Sequence, residues 1–180
     1  AQQPLFTGTA EVFPLKETLS MAVSLQLKAD RVLTITDGTA SSDGYFKQLE
    51  DMMHDFPGLT IENMDCSQLT RSEIASRLAS CDENTILLDM IMSRDGEGNE
   101  YNVRQAVSFL SDTAKIPIFK ADEAGIGDGI FGGCVISYLQ MGEQAGETIK
   151  KILNGAAPDE IEVKNAETRF EFDYNQIRRF

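Results

Sequence analysis

Short apolar runs rich in β-branched residues alternate with amphipathic stretches along most of this chain, and that alternation leaves few folds open. LFTGTAEV (5–12), RVLTITD (31–37), LTIENM (59–64), TILLDMI (85–91) and IPIFKAD (116–122) each have the length and composition of a strand. Between them, Leu15, Leu19, Val23 and Leu27 recur at helical spacing after Pro14. Phe46, Leu49, Met53 and Phe56 do the same after Ser42, which the sequence places as an N-cap, and Pro57-Gly58 ends that helix. The run Thr70 to Glu73 has the form of a capping box before Ile74 and Leu78, and Asn102 stands where it can cap VRQAVSFLSDTA. Strands followed by helices of about 10–15 residues build βαβ units with parallel strands and a sheet covered on both faces. The predicted fold class is therefore α/β, a mainly parallel twisted sheet flanked by helices. EIEVK (160–164) and RFEFDY (169–174) add two extended stretches near the end.

The glycine-rich stretch GIGDGIFGG, Gly125 to Gly133, follows the fifth strand. Within it, Gly127 to Gly132 reads G-x-G-x-x-G, the pattern by which dinucleotide-binding folds end a strand and aim a helix N-terminus at pyrophosphate. Here Asp122, Glu123 and Asp128 surround the stretch with carboxylates that repel phosphate. FGGCVISY also suits an extended segment better than a helix, and such fingerprints belong to the first βα turn of a unit. Nucleotide binding is not expected. Glycines at such a place supply the backbone angles of a sharp turn and allow close approach to a ligand or another backbone.

With 29 acidic against 16 basic side chains and a formal net charge of −13, the surface repels phosphate backbones and anionic lipid, and no nucleic-acid partner is expected. No run approaches the ~20 apolar residues that span a bilayer, and AQQPLFTG lacks the profile of a signal peptide. His54 and the scattered Cys66, Cys81 and Cys134 do not make a metal ligand set, and no cofactor is expected. Asp95, Glu97 and Asn99 have the spacing of a calcium loop. Glu100 stands where its glycine belongs and Ala106 where its bidentate glutamate belongs, so a solvated loop is expected instead. Cys66 follows a strand and Cys81 ends the next helix, about 15 Å further on at ~1.5 Å per residue. A disulfide requires Cα atoms within ~7 Å, so both thiols are expected to be free. No nucleophile elbow, P-loop or H-E-x-x-H occurs, which leaves Cys134 as the one candidate nucleophile for an enzyme on a flavodoxin-like scaffold.

In order, FTGT, RVLTITDGTASS, TILLDMI, IPIFKADE, the glycine stretch, GEQAGETIKKILNG and FEFDYNQIRRF resemble the periplasmic binding protein-like domains of the ABC-transporter substrate-binding class, from Phe6 onward. The most specific pieces are IPIFKADE and QAGETIKKILNG at their spacing, followed by FDYNQIRRF. DGIFGG and FDYNQIRRF look closest to relatives that serve as extracytoplasmic sensors ahead of a transmembrane helix and a histidine kinase or diguanylate cyclase. The resemblance implies one lobe of a type I fold that has two lobes, with ligand held between them. It places 14–124 and 157–180 in the second lobe. Residues 125–156 then form a glycine hinge at Gly125, Gly127 and Gly129, and a helix returning toward a first lobe whose N-terminal half the chain lacks.

Ligands of open parallel sheets meet the loops beyond the carboxyl ends of the strands. The candidate ligand-binding residues there are Thr39, Ser41 and Ser42, suited with their helix N-terminus to a carboxylate or amide, and Asp89 and Asp122, suited to an amine or hydroxyls. The expected function is a non-catalytic extracytoplasmic sensor of a small organic molecule, within a signal-transduction protein. The alternatives are the solute-binding component of an ABC transporter, an enzyme on the scaffold named above, and a dimerisation module. Ile136, Leu139, Ile149, Ile152 and Leu153 would lack the cover of a first lobe, so a homodimer through 130–155 is expected.

Overall fold

The computed structural model describes residues 6–180, and Leu5, where the first predicted strand begins, lies outside the described residues. In chain order the elements begin β1 (Thr9–Ala10), α1 (Leu15–Leu25), β2 (Arg31–Thr36), α2 (Ala40–Met52), β3 (Thr60–Asp65), α3 (Arg71–Ala79) and β4 (Thr85–Asp89). They continue α4 (Val103–Thr113), β5 (Ile118–Phe119), β6 (Gly132–Ile136), α5 (Tyr138–Leu153), β7 (Lys164–Asn165), β8 (Thr168–Phe172) and α6 (Tyr174–Arg179). Six strands form one sheet in the order β3-β2-β4-β5-β6-β8, parallel throughout except for β8. The α/β class with a mostly parallel central sheet is as the alternation predicts.

The pattern of burial explains the topology. β2 and β4 lie side by side in the sheet and are buried along almost their whole length, as parallel strands covered on both faces must be. Val32, Ile86, Leu88 and Phe119 pack with Leu15, Leu19 and Leu49 of α1 and α2. Leu33, Ile35, Leu87 and Ile118 pack on the other side with Ile74, Leu78 and Leu110 of α3 and α4. Thr70 and Asn102 form the capping boxes that start α3 and α4, each reciprocated by the residue three positions on, Glu73 or Gln105.

Several boundaries differ from the sequence reading. Thr39, not Ser42, caps α2: its hydroxyl accepts the Ser42 N–H, and Ser42 lies buried inside the first turn. α1 ends at Leu25 rather than Leu27, because the chain must turn there to bring Asp30 and Arg31 onto the Asn84 carbonyl and start β2. Leu27 is left 87% exposed. The first predicted strand is reduced to Thr9–Ala10, which pairs in parallel with β7 outside the main sheet.

The largest difference concerns the glycine stretch. Residues 132–136, predicted to lie in the segment leaving the lobe, form β6 within its sheet, with β5 on one side and antiparallel β8 on the other. Val135 and Ile136 are fully buried there. The position depends on close approach: a Cβ at Gly133 would clash with the Lys120 carbonyl oxygen. α5 begins after Ser137 and buries none of its residues.

Candidate functional site

The strand order reverses at β2, whose neighbours β3 and β4 both follow it in the chain, and such a crevice is the usual ligand position in an open α/β sheet. Here it is filled by the protein itself. Asp37, fully buried at the end of β2, accepts the Thr39 N–H (3.1 Å) and hydroxyl (2.7 Å) on one oxygen. Its other oxygen takes the Ser93 N–H (3.0 Å) and hydroxyl (2.5 Å). The Arg94 guanidinium closes over the loop by donating to the carbonyls of Asp37 and Gly38. Burial alone pushes the Asp37 carboxyl up, but the hydrogen bonds from Ser93, Thr39 and Ser42 outweigh it and hold it below the ordinary carboxylate value. Thr39 and Ser42 are thus committed to a loop lock, and Ser41 is exposed on α2.

A cleft of about 250 Å³ opens one strand further along, at the carboxyl ends of β4 and β5. Asp89, Lys120 and Asp122 line it, as do the aromatic side chains of Phe13, Tyr45 and Tyr138, delivered by the segment before α1, by α2 and by the start of α5. Thr39, Ser41 and Ser42 are not among its lining residues, so of the five predicted ligand-binding residues the structure brings Asp89 and Asp122 together and leaves these three apart. The reason is local: the hydroxyls of Thr39 and Ser42 serve the α2 cap and Asp37 before any ligand.

Lys120 is the residue that sequence reasoning missed. The β4–β5 register sets Leu88 against Phe119, so the next residues, Asp89 and Lys120, come side by side. The Lys120 ammonium, 8% exposed, donates to Asp89 Oδ2 (2.7 Å) and to the Met90 carbonyl (3.2 Å), and lies 3.7 Å from Asp122 Oδ2. Burial would lower its pKa, but the two carboxylates outweigh that and raise it above the ordinary lysine value. Asp122 moves up as well: burial raises it, countered only in part by Lys120 and by the Ala124 N–H that its Oδ1 accepts at 2.8 Å. Asp89 Oδ1 is buried and has no hydrogen-bond partner among the described residues. A lysine inside the apolar run IPIFKAD was the signal available in the sequence, since lysine is almost never buried unless paired.

The remaining candidates fall into place around this floor. Gly125, Gly127 and Gly129 all have positive φ, in a turn closed by hydrogen bonds from Asp128 and Ile130 to the Gly125 carbonyl. The turn is packed on α4, where a Cβ at Gly129 would meet Ser111 Cβ at 2.5 Å. It leads into a strand, not a helix, and so offers no helix N-terminus to a phosphate. Asp95 is buried rather than solvated: its oxygens accept the N–H groups of Glu97 and Asn99, the Asn99 amide and the Tyr101 hydroxyl (2.6 Å), which organises the turn from within. All three cysteines are buried and unpaired, and burial pushes the Cys66 thiol up to about 12 and also raises Cys134, the reverse of what a nucleophile needs. His54 sits exposed beside Asp55.

The family model for ABC transporter substrate binding proteins matches residues 59–173, from the edge of β3 to the end of the sheet. The chain belongs to that family. The fold of this substrate-binding-family chain is similar to that of a substrate-binding protein with adhesive properties from Clostridium difficile in its ligand-free, open form, at 19% identity and a TM-score of 0.70. That match covers 96% of this chain and 57% of the other. A conserved domain protein from Vibrio cholerae is similar at 17% identity and a TM-score of 0.68, covering 96% of this chain and 56% of that one. An ABC domain in complex with L-Trp from Streptococcus pneumonia is similar at 18% identity and a TM-score of 0.65, covering 90% and 53%. This member of the family thus spans little more than half the length of those structures. Comparison with curated proteins finds no match.

Proposed function

We propose that this chain is the ligand-binding lobe of an extracytoplasmic sensor, which holds one side of a small organic molecule in a cleft closed by a second lobe and carries out no catalysis. The observation that carries the reading is the cleft beyond β4 and β5, where a buried charged floor presents one unpartnered oxygen of Asp89 beneath aromatic walls. Such a site, mostly apolar with a few convergent polar groups, is suited to gripping a ligand and holds no activated nucleophile. Asp89 and Asp122 are the ligand contacts in this reading. The turn of Gly125, Gly127 and Gly129, expected as the hinge, joins β5 to β6 within one sheet, so in this reading the crossing toward a second lobe comes after β6, at the start of α5. The resemblance of DGIFGG and FDYNQIRRF to sensor relatives supports a transmembrane helix and a signalling domain as partners in the native protein. Copies pair through α5, on which Leu139, Ile149 and Leu153 are exposed.

Titration calorimetry with pooled amino acids and small organic acids, run on a protein carrying both lobes, tests the reading. Saturable heat from one pool is expected, and silence from every pool would overturn it. The family match favours a second reading, a solute-binding component that delivers ligand to a transporter. The two part downstream: a native gene that continues into a transmembrane segment and a signalling domain fits only the sensor.

A further inference from the structure

The charged floor of the cleft points to the chemistry of its ligand, if the ligand-binding reading above holds. Asp89 and Asp122 bring two negative charges and Lys120 one positive charge. The lysine is already engaged: its ammonium donates to Asp89 and the Met90 carbonyl, lies 3.7 Å from Asp122, and its side chain is 8% exposed. Among the described lining residues it is the only cation, while Glu11 adds a further carboxylate. A carboxylate or phosphate placed here would meet net negative charge and find no free basic group. Asp89 Oδ1, by contrast, is a buried acceptor without a partner, on a residue that is 3% exposed and lines the cleft. Buried polar atoms in native proteins are nearly always satisfied, and on a residue that lines the cleft the missing donor can come from a ligand. Phe13, Tyr45 and Tyr138 line the cleft as well, and an aromatic face attracts a cation rather than an anion.

We infer that the cleft takes its ligand through a protonated amine that donates to Asp89 Oδ1, and that Lys120, already bound between Asp89 and Asp122, restricts the site to one added positive charge. Lys120 is in this sense a specificity-determining residue. It stands where a divalent cation or the second nitrogen of a diamine would otherwise bridge the two carboxylates.

Two probes that share a ring system and differ in charge test this: tryptamine, which keeps the amine, and indole-3-propionate, which keeps the carboxylate. Each is titrated into the isotopically labelled chain while amide shifts around Asp89 and Ala124 are followed. Tryptamine is expected to bind at least ten-fold more tightly than the acid. Asp89→Asn, which keeps the shape of the site and leaves Lys120 paired with Asp122, is expected to weaken tryptamine ten-fold or more without strengthening the acid. Lys120→Met is expected to add affinity for 1,4-diaminobutane. If that variant fails to fold, the Asp89→Asn comparison still decides. The inference is overturned if the acid binds as tightly as the amine, or if Asp89→Asn leaves amine binding intact. Should an acid pool give saturable heat on the two-lobe protein while amines give none, the ligand-binding reading survives and only the amine is lost. If neither probe nor any pool binds, both fall.

Discussion

Asp37 and Asp95 both end as internal knots, each accepting several donors from its own loop or the next. In both, burial raises the carboxyl pKa and hydrogen bonds more than reverse it, so both lie below the ordinary value of 3.8. A depressed folded pKa contributes stability that is present above the unfolded value and disappears as pH falls through the folded one. Asp122, raised by burial, has the opposite sign: its contribution is lost as pH rises past its ordinary value. Asp37→Asn is expected to cost about 2 kcal/mol at neutral pH, because its amide cannot accept from both Thr39 and Ser93. Urea unfolding across the acid range is the check: the wild type loses stability on acidification, and the variant follows a flatter curve that converges with it at low pH.

At the scale of elements, α4 and α5 carry comparable apolar stripes and meet opposite fates. α4 buries Ala106, Val107 and Leu110 against the sheet, whereas Leu139, Ile149 and Leu153 of α5 are 71%, 57% and 82% exposed. Leu110→Ala is expected to lower unfolding free energy by about 2–5 kcal/mol, while Leu153→Ala, measured at dilution, changes it by less than about 0.5 kcal/mol. Equal losses at the two sites would mean that α5 is covered within its own chain. Gly129→Ala is expected to destabilise by more than about 1 kcal/mol, because the new methyl group meets Ser111 and the residue has φ +138°. Denaturant titration of the three variants gives the ranking directly.

For the whole molecule, the uncovered face of α5 sets the expectation for assembly. Exposing several large apolar side chains forgoes about 1.5–3 kcal/mol each, and a second copy can cover them. The expected dimer uses Tyr138 to Leu153 rather than the wider 130–155, since Ile130, Val135 and Ile136 are buried in the core. Light scattering should show mass rising with concentration toward that of a dimer, and Ile149→Glu with Leu153→Glu should abolish the rise. A wild-type monomer at every concentration would rule the dimer out. NAD and ATP are expected to leave the melting temperature unchanged, because the glycine turn delivers the chain to β6 beside Asp122, Glu123 and Asp128.

The sequence by itself determined the elements and the class. Periodicity, caps and turn residues act over a few positions, so βαβ alternation, the boxes at Thr70 and Asn102 and the burial of Ile74 and Leu78 could all be read from neighbours in the chain. It also marked Asp89 and Asp122, because strand ends are local features too. Three things were left to the tertiary structure. The place of β6 depends on two partners more than ten residues away on either side, and on glycines that let it lie against the Lys120 carbonyl. The occupied crevice at Asp37 depends on Ser93 and Arg94, brought across from the loop after the neighbouring strand. The charge of the cleft depends on the β4–β5 register, which sets Lys120 beside Asp89. Each is a pairing between distant segments, and such pairings are fixed by register and packing, which no local pattern encodes.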